Sequence, residues 1–271
     1  MKNKFCLLIV FFLCISSLLP AGAQTLSEKD FQVLNMNDGL SDNDIHSVAK
    51  DTEGFMWFGT GSGLNRYDGL TFKVFRMPGI SYRRIDRVVS LDTDYLLLRS
   101  EQNLFLFDKK YERFLPVCDS VSKQPVMFAD FVADSDGSCW GVSSGELSEV
   151  TFLSSYVQDT AFVSVRHVVN NLQSDPFVVL CMAEDGKALY CASRNGTVYR
   201  FTPGQKQLKK VCDGQLSSSK WVSSVLNGDS FIWIPTVGDG LYGYDLTNGK
   251  LHHWQYISER MGEQLSHNDV F

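Results

Sequence analysis

The sequence predicts an all-β fold, a β-propeller of four-stranded antiparallel blades. Three observations carry this. Residues 39–75 hold four short apolar runs separated by turn residues, which is one four-stranded sheet in 37 residues. The heptad Leu40-Ser41-Asp42-Asn43-Asp44-Ile45-His46 returns as Leu265-Ser266-His267-Asn268-Asp269-Val270-Phe271, 225 residues later, or five units of 45, a period that suits a propeller blade. Trp57 is echoed at Trp140 and Trp233, the first of these 83 residues on and close to two periods. A lone four-stranded sheet cannot bury both of its faces, so repetition is the expected remedy.

Met1 to Ala23 reads as a signal peptide outside that fold. Lys2 and Lys4 form a positive n-region, Phe5 to Leu19 an apolar h-region, and Ala21-Gly22-Ala23 the small residues of a cleavage site before Gln24. The competing reading is an uncleaved anchor, but the apolar run is short for a span and Pro20 follows it. Neither Cys6 nor Cys14 has the small residues before it that a lipoprotein signal carries, so residues 24–271 are expected as a soluble exported propeller domain.

In the first blade Ile45, Ser47 and Ala49 alternate with His46, Val48 and Lys50; Asp51-Thr52-Glu53-Gly54 is a tight turn; Phe55 to Thr60 is the second strand. Gly61-Ser62-Gly63 turns the chain into Leu64 to Tyr67, and Asp68-Gly69 into Phe72 to Phe75. The second blade, from about Arg83, is degenerate: Ile85, Val88 and Leu91 open it, then Tyr95 to Leu98, Asn103 to Asp108 and Glu112 to Leu115. The third runs from about Val126, with a turn at Asp134-Ser135-Asp136-Gly137 and Cys139 to Val142 as second strand. The fourth covers Phe177 to Val211, with Ala188 to Ala192 second and Asn195 to Tyr199 third. The fifth spans Trp221 to Leu226, Phe231 to Ile234, Gly238 to Asp245 and Lys250 to Trp254. A sixth begins at Leu265 and stops at Phe271, so five blades and the start of another are expected as part of a seven-bladed ring, incomplete at its C-terminus.

Without Lys2 and Lys4, 23 basic residues face 31 acidic ones, a formal charge of −8 that excludes the basic footprint of a nucleic-acid binder. Five cysteines remain, Cys118, Cys139, Cys181, Cys191 and Cys212, with no CxxC pair and no metal-ligand spacing. Their odd number cannot pair fully, and Cys139, Cys181 and Cys191 sit in apolar runs where a thiol acts as a small hydrophobe. The Asp-rich turns have too few ligands at alternate positions for a calcium loop, and hairpin capping accounts for them. No metal and no cofactor is expected.

Gly39-Leu40-Ser41, Asn43, Asp51, Gly54, Trp57, Gly59-Thr60, Gly63-Leu64 and Arg66-Tyr67-Asp68-Gly69 resemble the two-component regulator propeller repeat, a GLS-N opening, an Asp and Gly turn, a W-GT strand and GL-RYDG. The third blade keeps Trp140-Gly141 with Val142 in place of the threonine, and the fifth has Pro235 in place of the glycine. The resemblance implies the periplasmic sensor part of a Bacteroidetes hybrid two-component system. In such proteins two propellers and a β-sandwich precede an inner-membrane helix, a histidine kinase and often a receiver with a DNA-binding domain. Members commonly detect oligosaccharides and switch on polysaccharide-utilisation genes. The partners so implied are an oligosaccharide, the second propeller, β-sandwich and kinase of the same receptor, and a second copy in a receptor homodimer. The chain has no H-box and no ATP-binding glycine pattern.

In a propeller the lead-in loops and the turns between second and third strands surround the channel on one face, and the Asp-Gly hairpins lie on the other. On the first face fall the ligand-binding candidates Arg83, Arg84, Arg99, Arg194, Asn195, Lys220, Trp221 and Asp239, together with Asp44 and Ser62. Arg83, Arg84 and Arg87 stand out in an acidic chain, since guanidinium forks suit the carboxylates or sulfates of an acidic glycan, although a solvated loop explains them as well. Trp57, Trp140 and Trp233 could stack on sugar rings; recurrence at one strand position favours packing between blades. Catalytic residues are not expected: none of His46, His167, His252, His253 and His267 lies in a catalytic motif. A ligand-sensing module, an exported propeller hydrolase or lyase acting on glycans, and an inactive remnant are the three classes in play. The sensor reading predicts that an antibody to this chain detects, in fractionated native cells, a membrane band several times heavier than 30.5 kDa; a soluble periplasmic band near the fragment mass speaks against it.

Overall fold

Turn chemistry sets the first sheet. The computed structural model describes residues 32–79, 84–91, 94–133, 139–157, 159–170, 175–217, 220–228, 230–256, 265 and 267–270. The segment expected as a signal peptide, the turn at Asp134 to Gly137 and Phe271 lie outside them. In blade 1, β1 (Ile45–Lys50), β2 (Met56–Thr60), β3 (Gly63–Tyr67) and β4 (Phe72–Phe75) form an antiparallel sheet in chain order. Asp51 caps the first turn by accepting the N–H groups of Glu53 and Phe55, both at 3.0 Å. Asp68 does the same for Leu70 and Thr71, at 2.8 and 2.7 Å, so these aspartates are turn caps. Gly63 has φ +136°, and a Cβ there would lie 2.7 Å from the Phe75 carbonyl; its counterpart Gly240, at φ +79°, would clash with the Trp254 carbonyl. The glycine that opens the third strand is thus required twice, by conformation and by the outer strand lying against it.

Blade 2 consists of β5 (Arg87–Ser90), β6 (Tyr95–Ser100), β7 (Asn103–Asp108) and β8 (Arg113–Asp119), and blade 3 of β9 (Asp130–Ala133), β10 (Cys139–Ser143), β11 (Glu146–Val157) and β12 (Thr160–Asn170). The even 45-residue spacing predicts separate sheets, yet these two are one eight-stranded sheet. The join is a parallel pairing of the two outer strands, Ala161↔Val117, Phe162↔Cys118 and Val163↔Asp119. Its cause is length: β11 and β12 have 12 and 11 residues, so their hairpin continues past the five residues of β10 and reaches β8. Each outer edge then satisfies the other's backbone groups, which removes two exposed edges. In blade 3 the hairpin closes at Ser143↔Glu146, three residues after Trp140, as Thr60↔Gly63 closes three after Trp57. Ser143, not Val142, therefore takes the threonine's place.

Blade 4 is β13 (Phe177–Met182), β14 (Leu189–Ser193), β15 (Val198–Thr202) and β16 (Gln207–Cys212). Its third strand starts at Val198 and not at Asn195, because Asn195 Oδ1 accepts from the Thr197 N–H and hydroxyl, at 2.9 and 2.7 Å, and holds those residues in the turn. Blade 5 has its first strand divided into β17 (Trp221–Val222) and β18 (Leu226–Asn227), against β19 (Phe231–Val237), followed by β20 (Leu241–Asp245) and β21 (Leu251–Trp254). The division falls opposite Pro235, which has no N–H for the ladder; its carbonyl still accepts from Ser223 at 3.0 Å. Val270 donates to the Thr236 carbonyl at 2.9 Å, as Ile85 does to that of Thr60, so the segment expected as the start of a sixth blade docks on blade 5 as blade 2's lead-in docks on blade 1.

Residues 35–271 form one unit, and its core lies between consecutive blades. Trp57 and Phe75 of blade 1 pack on Leu96, Leu98 and Phe107 of blade 2; Trp140 and Val142 of blade 3 on Leu189 and Phe201 of blade 4; Tyr190 and Ala192 of blade 4 on Ile232 and Ile234 of blade 5. The Trp57 indole N–H donates to Asp51 Oδ2 at 2.8 Å, and Lys109 Nζ of blade 2 lies 3.5 Å from the same oxygen, both side chains being buried. Burial alone would raise the Asp51 carboxyl, but Trp57, Lys109 and the two turn N–H groups outweigh it and hold it below its ordinary range.

Two outcomes follow. Trp57→Ala should cost about 3–5 kcal/mol in urea unfolding, the loss expected for a large buried aromatic. Because the folded carboxyl of Asp51 lies below the unfolded value of 3.8, its contribution is complete above that pH and disappears as pH falls through the folded value. Asp51→Asn should therefore show a shallower loss of stability on acidification below about pH 4 than the parent chain, measured by thermal melts across pH.

Candidate functional site

The first strands β1, β5, β9 and β13 and the β17–β18 stretch come side by side at the centre of the blades. They enclose a channel of about 860 Å³, lined among others by Asp44, His46, Arg84, Asp86, Arg87, Arg99, Asp130, Cys181, Ser223 and Ser224. Alternation within β9 brings Asp130 and Val132 to this wall, and β13 gives it Val179 to Met182.

The charges of the wall are arranged around blade 2. Arg87 and Arg99 are direct cross-strand partners on β5 and β6. Arg84 Nε donates to Asp86 Oδ1 at 2.5 Å, and Arg87 Nε lies 3.7 Å from Asp130 Oδ1. Asp130 Oδ2 accepts from the Leu180 N–H at 3.0 Å, which ties blade 3 to blade 4. His46 Nε2 is 3.2 Å from Asp44 Oδ2. The Nε of Arg99 is buried and has no hydrogen-bond partner among the described residues. Burial disfavours the Arg99 charge and the Arg87 and Arg84 guanidiniums add to that; Asp130 and Asp86 oppose it, and the net direction is downward. Burial also pushes the Cys181 thiol up to about 12, so it stands in the wall as a neutral thiol.

Of the eight candidates read from the sequence, the structure brings Arg84 and Arg99 together in this wall, and Arg83 lies outside the described residues. The other five are not part of the wall. Asn195 is taken up by its turn, its N–H donating to Asp175 Oδ1 at 3.0 Å, and Arg194 is exposed beside it. Lys220 and Asp239 pair with each other. Asp239 also accepts from Tyr242 at 2.7 Å and Gln255 at 2.8 Å, while its carbonyl lies 2.6 Å from His253 Nε2. Burial raises this carboxyl, but Lys220, Tyr242 and His253 prevail and hold it low. The cluster closes the β19–β20 hairpin. Trp221 is 47% exposed at the start of β17, away from the channel. Asp86, Asp130, Cys181 and Ser224 belong to the wall but not to the sequence-derived set. Period-two alternation along each first strand was the signal that could have found the strand members, once the strand ends were fixed.

Residues 39–62 match the family model described as a two component regulator propeller. A histidine kinase of Formosa agariphila is 38% identical over 72 residues, which are 27% of this chain and 5% of that protein. The extracellular domain of BT3049 of B. thetaiotaomicron, assigned as a hybrid two-component system, superimposes with a TM-score of 0.52 at 17% identity, over 88% of this chain and 38% of that one. Virginiamycin B lyase from Staphylococcus aureus does so with a TM-score of 0.55 at 12% identity, over 83% and 73%. The chain spans a small part of the kinase and under two-fifths of the extracellular domain. At these identities the structural likenesses establish the propeller fold. The chain therefore carries a two-component regulator propeller repeat, at residues 39–62, within an all-β propeller whose fold is shared with the extracellular domain of a hybrid two-component system.

Proposed function

We propose that this chain is the ligand-sensing propeller module of a two-component receptor, working outside the cytoplasm in the periplasm. There it detects an oligosaccharide in the channel to control polysaccharide-utilisation genes. The observation that carries the reading is the channel itself: its 860 Å³ lies in the range of small-ligand sites, and its wall mixes apolar positions such as Val132 and Val179 with hydroxyls and charges. The repeat match and the extracellular propellers of hybrid two-component systems support the receptor context. The module binds and does not catalyse. In support, two of the channel carboxylates have a partner already, Asp86 in Arg84 and Asp130 in the Leu180 N–H, which leaves them poorly placed as a general acid and base. The second propeller, β-sandwich, kinase and a second receptor copy are the partners through which binding becomes a signal.

Calorimetric titration of the purified chain with a panel of neutral and acidic oligosaccharides tests this. One member should bind with a Kd in the micromolar range, about −8 kcal/mol. Ser224→Trp, which places an indole in the wall, should weaken that binding at least about tenfold, or about 1.4 kcal/mol. Deleting the gene should abolish transcriptional induction by the same sugar. Absence of binding across the panel, or equal binding by the Trp variant, overturns the channel as the site.

A further inference from the structure

Three guanidiniums stand at one place in the channel wall, two of them as direct cross-strand neighbours. Arg87 and Arg99 face each other across β5 and β6, where like charges directly opposite are destabilising. Arg84 joins them from the segment that leads into β5. Of the channel carboxylates, the two beside these guanidiniums are engaged: Asp86 sits on Arg84, and Asp130 takes the Leu180 N–H and stays 3.7 Å from Arg87 Nε. Arg99 has no carboxylate within ion-pairing distance among the described residues, and its Nε is buried without a hydrogen-bond acceptor. A buried N–H that finds no acceptor is rare in native structures and calls for a reason.

We infer that Arg84, Arg87 and Arg99 form a receptor for an oxyanion, a carboxylate or a sulfate, carried by a sugar in the channel. This rests on the channel being the ligand site. An oxyanion seated on the channel wall over the Arg87–Arg99 pair accepts from their guanidinium N–H groups and screens Arg99 from Arg87. Planar guanidinium forks match carboxylate and sulfate oxygens in pairs, which a neutral hydroxyl cannot exploit. The ligand class is then an acidic oligosaccharide, with uronate and sulfate ester as the two sources of the shared chemistry.

Four probes separate the cases: a uronate-terminated disaccharide, a sulfated disaccharide, the neutral disaccharide of the same linkage, and sodium sulfate. At least one acidic disaccharide should bind about tenfold or more tighter than the neutral one, and the preference should shrink as salt is raised. Which of the two acidic probes is preferred identifies the source, and competition by sodium sulfate marks the oxyanion as the recognised group. Arg99→Gln should abolish the preference while the unliganded melting temperature stays equal or rises, because a charge that burial disfavours is removed; Arg99→Lys should retain part of it. Arg87→Gln is the second variant and should likewise lose the preference. Equal affinity for neutral and acidic probes overturns the oxyanion receptor while leaving the channel as a sugar site. Binding by no probe overturns both. A preference that survives Arg99→Gln and Arg87→Gln also overturns it.

Discussion

The structure depends on one requirement, that each blade have its apolar faces covered by its neighbours. Trp57 shows how this is met. Its ring packs on Phe75 of its own blade and on Phe107 of the next, at centroid distances of 5.7 and 5.6 Å, and its indole N–H ends on Asp51, the residue that caps the preceding turn. One carboxylate thus joins turn geometry, side-chain packing and, through Lys109, the contact between two blades. A buried ion pair of this kind is weak as a source of net stability but costly to break from one side, so it fixes which surfaces meet. Trp140 repeats the packing against Phe201 of blade 4, at 5.6 Å. Trp233 holds the same register position in blade 5, but packs on Phe231 and Trp254 of its own sheet, at 5.0 and 5.6 Å.

The second device is the join between blades 2 and 3. Propeller blades ordinarily present an outer edge to solvent, and such edges invite pairing with another chain. Here the long β11–β12 hairpin turns the edges of β8 and β12 against each other, and Leu115, Val117, Ala161 and Val163 are buried in the same cluster as a result. Two blades whose sequences depart furthest from the repeat in their second strand or their length are held by backbone pairing in addition to face-to-face packing. This explains how the degenerate second blade, without the tryptophan of the first, is kept in place.

The channel is a by-product of the same packing. First strands that lean together at the centre leave a gap whose wall combines core residues such as Val132 and Val179 with polar residues that the core itself does not take. The wall therefore carries what the core rejects: guanidiniums, carboxylates and a histidine within reach of one another, with Arg99 held in partial burial by the strands around it. The Lys220–Asp239 cluster looks similar on a list of charged residues but differs in one respect, since the Asp239 carboxylate oxygens and its carbonyl have partners within the blade. A satisfied cluster stabilises a hairpin, whereas an unsatisfied one has capacity left for a ligand.

The sequence by itself determined the all-β class, the blade as repeating unit and the strand ends of blade 1 to within one residue, because turn residues and period-two alternation act within a few residues of one another. Asp51, Gly63 and Trp57 do locally what their types demand. Only the tertiary structure decided the rest. The pairing of β8 with β12 joins residues more than 40 apart, and no local pattern encodes it. Pro235 divides the first strand of blade 5 through a hydrogen bond it cannot make to a strand ten residues away. The site was legible only in part: Arg84 and Arg99 were readable as basic residues near a channel, but whether a charge is spoken for depends on its neighbours in space. Lys220 and Asp239, 19 residues apart, cancel each other, while Arg99 meets Arg87 across a ladder and its Nε has no acceptor among the described residues.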